Sequence, residues 1–333
     1  MDKEYLLKVF SENLVARKSY IQKNNLETYR LYNLEEYDLP LAVDIYLINL
    51  LGSEPAKPDS SPRCAARAVR SPGSYAVVHV FEEVPAAVLR EVEVVLKELL
   101  KVEGVFFKNR VKGARKEEDG VKTAESGKNI VVNEYGHKFA INLSDYSDVG
   151  LFLDHRETRK WIASLSRGKV ILNTFAYTGS FSVYAAKAGA AKTYSVDLSK
   201  TYCEWLKKNL KLNGLPPEKN WVYKMDTFEF FKYARRKELK FDIVIIDPPT
   251  FSRNKGTSFS VQKDHPRLIN AALALLNPGG FVLFSTNFKD FRLNEDRLDS
   301  CDIREVTDGI PPDFAGGFPH VCFEIRRRKF DVE

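Results

Sequence analysis

Cysteine is sparse in this sequence, and its spacing pairs none of it. Cys64, Cys203, Cys301 and Cys322 are scattered along 333 residues without a C-x-x-C, which argues against a zinc site or a disulfide scaffold and for a reducing compartment. The five histidines form no H-x-x-x-H or H-E-x-x-H pattern, so local spacing predicts no metal site. No apolar run reaches membrane-spanning length, and Met1-Asp-Lys-Glu-Tyr-Leu-Leu7 lacks the apolar core of a secretion signal. A soluble, cytoplasmic protein is expected. The three-glycine dinucleotide fingerprint is missing too: Asn173-Thr-Phe-Ala-Tyr-Thr-Gly179 carries one glycine, which disfavours a nicotinamide-dependent oxidoreductase. No large excess of one charge is present. The net charge of +6 suits a polyanionic partner but is shared by many ordinary enzymes.

What is present is periodic. A 44% hydrophobic chain of this length can bury two cores. Leu6, Phe10, Leu14 and Ile21 recur near helical spacing in the first 25 residues. Strands are predicted at 28–32, 41–51, 74–82, 105–111, 129–133 and 138–142, with one helix over 85–102. Two polar stretches, 52–74 and 112–128, read as loops rich in basic residues, and the first is expected to be mobile. Arg63, Arg67, Arg70, Lys108, Arg110, Lys112, Arg115 and Lys116 accompany Phe106, Phe107 and Tyr135. Such interleaving fits an RNA-binding α+β domain, and a solvated surface explains it nearly as well.

From about residue 150 strands and helices alternate. Strands are predicted at 170–175, 193–196, 221–224, 241–246 and 281–285. Helices follow at 179–188, 200–212, 227–236 and 261–276, the last ended by Pro278-Gly-Gly280. This is a βαβ series, hence an α/β doubly wound parallel sheet. Short strands at 303–306 and 321–326 give a C-terminal hairpin, which favours the methyltransferase variant of the Rossmann layout. Polar residues sit at four successive strand ends: Asn173, Asp197, Asp226 and Asp247. One alone reads as turn or N-cap chemistry. Four together point to an adenosine ligand without phosphates, namely S-adenosylmethionine, with Asp197 on the ribose hydroxyls. Asp247-Pro-Pro-Thr-Phe251 follows the buried run Ile243-Val-Ile-Ile246. Two prolines stop the strand and stiffen the loop, placing a carboxylate and an aromatic ring where a nucleobase would bind.

Several stretches carry a resemblance to a known family. Gly150-Leu-Phe-Leu-Asp-His-Arg156, Asn173-Thr-Phe-Ala-Tyr-Thr-Gly179, Asp247-Pro-Pro-Thr-Phe-Ser252, Val261-Gln-Lys-Asp-His265 and Phe284-Ser-Thr-Asn287 resemble class I methyltransferases of large-subunit ribosomal RNA. Tyr29-Arg-Leu-Tyr32 with Ala42-Val-Asp-Ile-Tyr46 is similar to the guanine-N7 branch, the large-subunit methyltransferase K type. The resemblance covers nearly the whole chain except 52–74 and 112–128. It implies a Rossmann-like class I methyltransferase sheet over 149–333, preceded by an N-terminal helix and α+β RNA-binding domain over 1–148. It implies S-adenosylmethionine held by Asp154, Arg156, Asn173, Phe175, Tyr177, Thr178, Gly179, Asp197, Leu198, Asp226 and Asp247. Asp247, Pro248, Pro249, Phe251 and Asn287 would orient the base. The implied partner is 23S ribosomal RNA or an assembly intermediate containing it, without a membrane or a metal.

His155 and His265 read as general bases or, more simply, as structural or substrate-orienting residues. Arg156 and Arg159 could meet RNA phosphate or the cofactor carboxylate. Lys207, Lys208 and Lys211 read as a solvated helix face. The expected product is 7-methylguanine; 5-methylcytosine is the rival. Enzymes that methylate cytosine carbon 5 first add a cysteine thiolate to carbon 6, and 247–252 and 284–288 contain none. Cys301 and Cys322, in the tail, are not expected near the site. A non-catalytic RNA-binding protein is the rival of another class.

Overall fold

The computed structural model describes residues 2–34, 39–48, 73–111, 127–254, 257–306, 309–314, 316–317 and 319–328. The basic loop expected at 52–74, apart from its last two residues, and that at 112–128, apart from residues 127–128, lie outside them. The chain divides into two compact units, Met1–Leu153 with Pro312–Gly317, and Asp154–Pro311 with Phe318–Glu333. Among the described residues no helix is long and apolar enough to cross a membrane.

In the first unit, helix α1 (Lys3–Lys23) starts where the Asp2 carboxylate accepts from the Tyr5 N–H, an N-cap of the ordinary kind. Its Leu6, Val9 and Phe10 enter one core with strands β1 (Thr28–Tyr32), β2 (Leu41–Leu47), β3 (Ser74–Val80) and β4 (Gly104–Asn109). The strand order is β1-β2-β3-β4. Only β3 and β4 run parallel, and a parallel pair needs a crossover. Helix α2 (Ala86–Leu100) supplies it and packs Leu89, Val92, Val95 and Leu96 onto the sheet. Strands β5 (Asn129–Glu134) and β6 (His137–Asn142) form a separate hairpin. It turns at Tyr135 and Gly136, both at positive φ, the backbone that a two-residue hairpin loop demands.

Arg30 and Asp44 lie opposite one another in the β1–β2 register. The guanidinium donates to both carboxylate oxygens, at 2.8 and 3.0 Å. His79 on β3 lies 3.0 Å from the same carboxylate, and Arg110 joins His79 to Asp148. Burial pushes the Asp44 carboxyl up, but Arg30 and His79 outweigh it and hold it well below the usual range. A buried charge is stable only when paired in this way. The Tyr29–Tyr32 and Ala42–Tyr46 motifs thus meet across one strand pair as a structural ion pair.

The second unit opens with helix α3 (Arg156–Leu165), which no apolar stripe announces, because Arg156 and Arg159 are fully buried on it. Strand β7 (Val170–Thr174), helix α4 (Ser180–Lys187), strand β8 (Lys192–Asp197), helix α5 (Lys200–Leu212), strand β9 (Asn220–Lys224), helix α6 (Thr227–Arg236) and strand β10 (Phe241–Ile246) follow. A second unforeseen element, the hairpin β11 (Phe251–Asn254) and β12 (Thr257–Ser260), precedes helix α7 (Val261–Leu273). Strands β13 (Leu276–Thr286), β14 (Cys301–Glu305) and β15 (Val321–Arg327) complete the unit. The sheet order is β14-β15-β13-β10-β7-β8-β9. The five strands β13, β10, β7, β8 and β9 are parallel, and β15 runs antiparallel between β13 and β14. That is the C-terminal hairpin expected of the methyltransferase layout.

One expectation is corrected here. Pro278-Gly-Gly280 does not follow a helix reaching 276; it lies inside β13, after α7 has ended at Leu273. The register with β10 jumps from Phe241↔Leu276 to Ile243↔Phe281, so the three residues occupy a bulge. Bulges tolerate a proline that has no N–H to donate. A Cβ on Gly280 would lie 2.7 Å from the Asp242 carbonyl oxygen, which fixes glycine there.

Candidate active site

The direction of the sheet reverses at β7, which has β8 on one side and β10 on the other. Ligands of open α/β sheets bind at the carboxyl ends of the strands at such a point. After β7 the backbone takes three left-handed residues in five: Phe175 at φ 52°, Tyr177 at φ 50° and Gly179 at φ 81°. For non-glycine residues this conformation is costly and is typical of functional sites. The turn is held from outside. The Asp197 carboxylate, at the end of β8, accepts from the Tyr177 N–H at 2.8 Å and the Ser199 N–H at 2.8 Å. Burial raises the Asp197 carboxyl, and these backbone donors partly offset it. The Tyr177 ring meets Tyr202 edge-on at 4.6 Å.

Asn173 is buried and donates to Ser182, which pairs with Ser195. Its side chain therefore fastens β7 to α4 and β8 beneath the turn. Thr178 is buried as well, and its carbonyl accepts from Asn209 on α5. Asp226 caps α6, with both bonds falling on Oδ1, from Phe228 N and Glu229 N. Leu198 is exposed beside Asp197. The donor set fits an adenosine ligand: a carboxylate at the second strand end, an apolar side chain beside it, a carboxylate at the third, and a close-approach turn at the first. No phosphate-binding glycine loop competes with that fit.

Across the switch point, the segment after β10 is tied to the end of β13 twice. Ser285 Oγ donates to Asp247 Oδ1 at 2.6 Å, and Thr250 Oγ1 donates to Asn287 Oδ1 at 3.0 Å. Pro248 is buried, whereas Pro249 and Asn287 are exposed and Phe251 is 52% exposed. The hairpin that Phe251 begins returns Phe259 to the first turn, where its ring lies 5.9 Å from that of Phe175.

The second Asp247 oxygen faces inward, 3.7 Å from His155 Nε2. His155 stacks on His320 at 3.8 Å and 16°, and His320 Nδ1 is bound to Asp154 at 2.8 Å. Burial, then the charge on His320, lowers His155 to about 4. Burial works against the His320 cation too, but Asp154 and Cys322 outweigh it and raise His320 to about 10. Asp154 thus faces a histidine. His155 is neutral at ordinary pH, and its Nδ1 is buried with no hydrogen-bond partner.

The place of Cys322 corrects the sequence reading. It lies opposite Ser285 in the β13–β15 register, and its thiol, His155 and His320 offer ligand atoms within 4.8 Å of one another. Sequence spacing could not show this, since the residues come from opposite ends of the unit. The stacked imidazoles cannot share an ion as they stand, because a bound ion lies near the plane of each ring, and two ring planes tilted by only 16° with centroids 3.8 Å apart meet far beyond bonding distance of either nitrogen. His265 is a core residue: its Nδ1 meets the Val261 carbonyl oxygen and its Nε2 accepts from Asn294 N.

The strand order and the antiparallel β15 are those of a class I methyltransferase, and the S-adenosylmethionine-dependent methyltransferase family model matches residues 115–316, so the chain belongs to that family and its cofactor is S-adenosylmethionine. Within the family it is 33% identical to the ribosomal RNA large subunit methyltransferase K of Neisseria meningitidis serogroup B, over 95% of this chain and 85% of that one. It is 36% identical to the methyltransferase K/L of Allochromatium vinosum, covering 92% of this chain but only 40% of that longer protein. A methyltransferase crystallised with S-adenosylhomocysteine superposes with a TM-score of 0.78 at 25% identity, over 98% of this chain and 82% of that one.

Proposed function

We propose that this chain transfers a methyl group to N7 of a guanine in large-subunit ribosomal RNA. The substrate class rests on the methyltransferase K relative, of which the chain spans 85%. One observation weighs against the 5-methylcytosine rival. Cys322, whose thiol neighbours the histidine pair behind Asp247, is fully buried, and burial pushes its pKa up. A sealed, protonated thiol does not add to cytosine carbon 6. Guanine N7 needs no such help, because its lone pair lies in the ring plane and no proton has to leave.

When bound, the cofactor supplies an electrophilic methyl on a sulfonium centre. The residues of this chain bind and orient. The 175–179 turn, Asp197, Leu198 and Asp226 hold the adenosine end, while Asp154, Arg156, Asn173 and Thr178 support that region from within. Pro248, Pro249, Phe251 and Asn287 hold the base, with Phe251 stacking on its face. Methylation leaves the base cationic, and the Asp247 carboxylate, fixed by Ser285, keeps a negative charge at that strand end. Catalysis is then chiefly positioning. The base is flipped out of its helix to reach the site, and the first unit grips the RNA around it.

The product decides the matter. Ribosomal RNA transcripts are methylated, reduced with borohydride and treated with aniline, which cleaves chains at 7-methylguanine. Cleavage at one position is expected. Its absence, with 5-methylcytosine or an N-methyladenine in the digest, refutes the reading.

A further inference from the structure

We propose that Asn287, oriented by Thr250, selects guanine by donating an amide N–H to O6 of the target base; this rests on the guanine-N7 reading above. The argument begins with the edge such a base presents. On guanine N7 and O6 are both acceptors, whereas on adenine N7 is beside the N6 amino donor. An enzyme that turns N7 toward a methyl group therefore meets either O6 or N6 next to it. A donor there accepts guanine and repels adenine; an acceptor does the reverse.

The lip of the sheet is arranged to offer a donor. Thr250 Oγ1 donates to Asn287 Oδ1 at 3.0 Å, which engages the acceptor half of the amide. Its Nδ2, with two N–H groups, is the other arm of the planar amide, and Asn287 is exposed. The strongest acceptor of the same loop is turned away, since Asp247 Oδ1 accepts from Ser285 and Oδ2 faces His155. Ser285 and Asn287 are two residues apart at the end of β13, and side chains at that spacing share one face of a strand. Thr250 and Asp247 meet them from the loop after β10. The two ties hold the loop, and the Asn287 amide meets it at Thr250, the chain neighbour of the exposed Phe251.

Asn287 is therefore a contact to the base, and Thr250 is a positioning residue acting through it. The test replaces the target guanine, once located by aniline cleavage, in a ligated ribosomal RNA fragment. Inosine keeps O6 and N7 but lacks the 2-amino group; 2-aminopurine keeps N7 and the 2-amino group but lacks O6. The wild-type enzyme should lose on the order of 100-fold in kcat/KM on 2-aminopurine and far less on inosine. Asn287→Ala should lose a similar factor on guanine and show no further loss on 2-aminopurine. Asn287→Asp, which puts an acceptor in the same shape, should fall further on guanine than on 2-aminopurine. Thr250→Val should lower the guanine to 2-aminopurine ratio while leaving S-adenosylmethionine binding intact. Retained cofactor binding by calorimetry shows that each variant is folded.

Equal losses on guanine and 2-aminopurine in Asn287→Ala, or a wild-type enzyme indifferent to O6, overturn the proposal while 7-methylguanine remains the product. A product other than 7-methylguanine overturns the parent reading instead, and this inference with it.

Discussion

Replacing Gly179 with alanine tests how the cofactor turn is built. Gly179 caps α4 at φ 81° and ψ 24°. A left-handed backbone costs an L-residue roughly 1–2 kcal/mol. The added Cβ would also fall 2.3 Å from Leu206 Cγ and 2.9 Å from its Cδ1. Leu206 is fully buried and cannot swing into solvent, so overpacking adds roughly 1–3 kcal/mol. The total is about 2–5 kcal/mol, a large share of the about 5–15 kcal/mol typical of a folded protein. Urea unfolding followed by tryptophan fluorescence isolates the effect, because Trp161, Trp205 and Trp221 all lie in the second unit. Leu206→Ala separates the two causes. In that background the steric part disappears and about 1–2 kcal/mol of backbone strain remains, so the two substitutions should couple by about 1–3 kcal/mol. A loss below about 1 kcal/mol for Gly179→Ala, or strict additivity with Leu206→Ala, would refute the reasoning.

Asp197→Ala should weaken S-adenosylmethionine binding by roughly 1.5–3 kcal/mol for each charge-assisted hydrogen bond removed; Asp197→Asn should lose less, and unchanged calorimetry for the alanine variant would count against the assignment. The stacked histidines set a pH dependence of stability. His320 is raised to about 10, so its contribution is complete below about 6.5 and fades as pH rises toward 10. His155 is lowered to about 4, so the unfolded chain binds the extra proton and stability falls as pH drops from about 6.5 toward 4. Melting temperatures should therefore peak near neutrality; His320→Gln should flatten the alkaline limb and His155→Gln the acid limb. If the full-length chain grips RNA through phosphates, its affinity for ribosomal RNA transcripts should fall steeply with salt, and a flat salt profile would remove that role.

Much of the second unit was legible in the sequence because its strands are short apolar runs ended by polar residues. The Ile243–Ile246 run and the prolines after it located the switch-point loop without any tertiary knowledge. What escaped had a physical reason each time. Helix α3 buries Arg156 and Arg159 where an apolar stripe would normally lie. The Pro278-Gly-Gly280 stop signal was real but marks a bulge within β13. Asn173 carries the right chemistry for a ligand contact and also bonds Ser182 under the turn, a partner that only the packed structure reveals. Cys322 and His320 are distant in sequence from His155, so no spacing rule brings them together behind Asp247. Arg30 and Asp44 stand in recognisable motifs, but their pairing depends on strand register.

The return of residues 312–317 to the first unit bears on the order in which the molecule is made. Asp313 is fully buried there; its Oδ2 accepts from the Arg30 N–H at 2.9 Å, while the Arg30 guanidinium lies 4.3 Å over the Phe314 ring. During synthesis the first unit leaves the ribosome early, and its last piece emerges only after most of the second unit has been translated. Until then the β1 edge lacks the partner of its Arg30 N–H, and the nascent unit is a natural client for chaperones. Cutting the gene after Leu153 would reproduce that unfinished state permanently, whereas a synthetic peptide spanning 309–320, added in trans, would be expected to complete it.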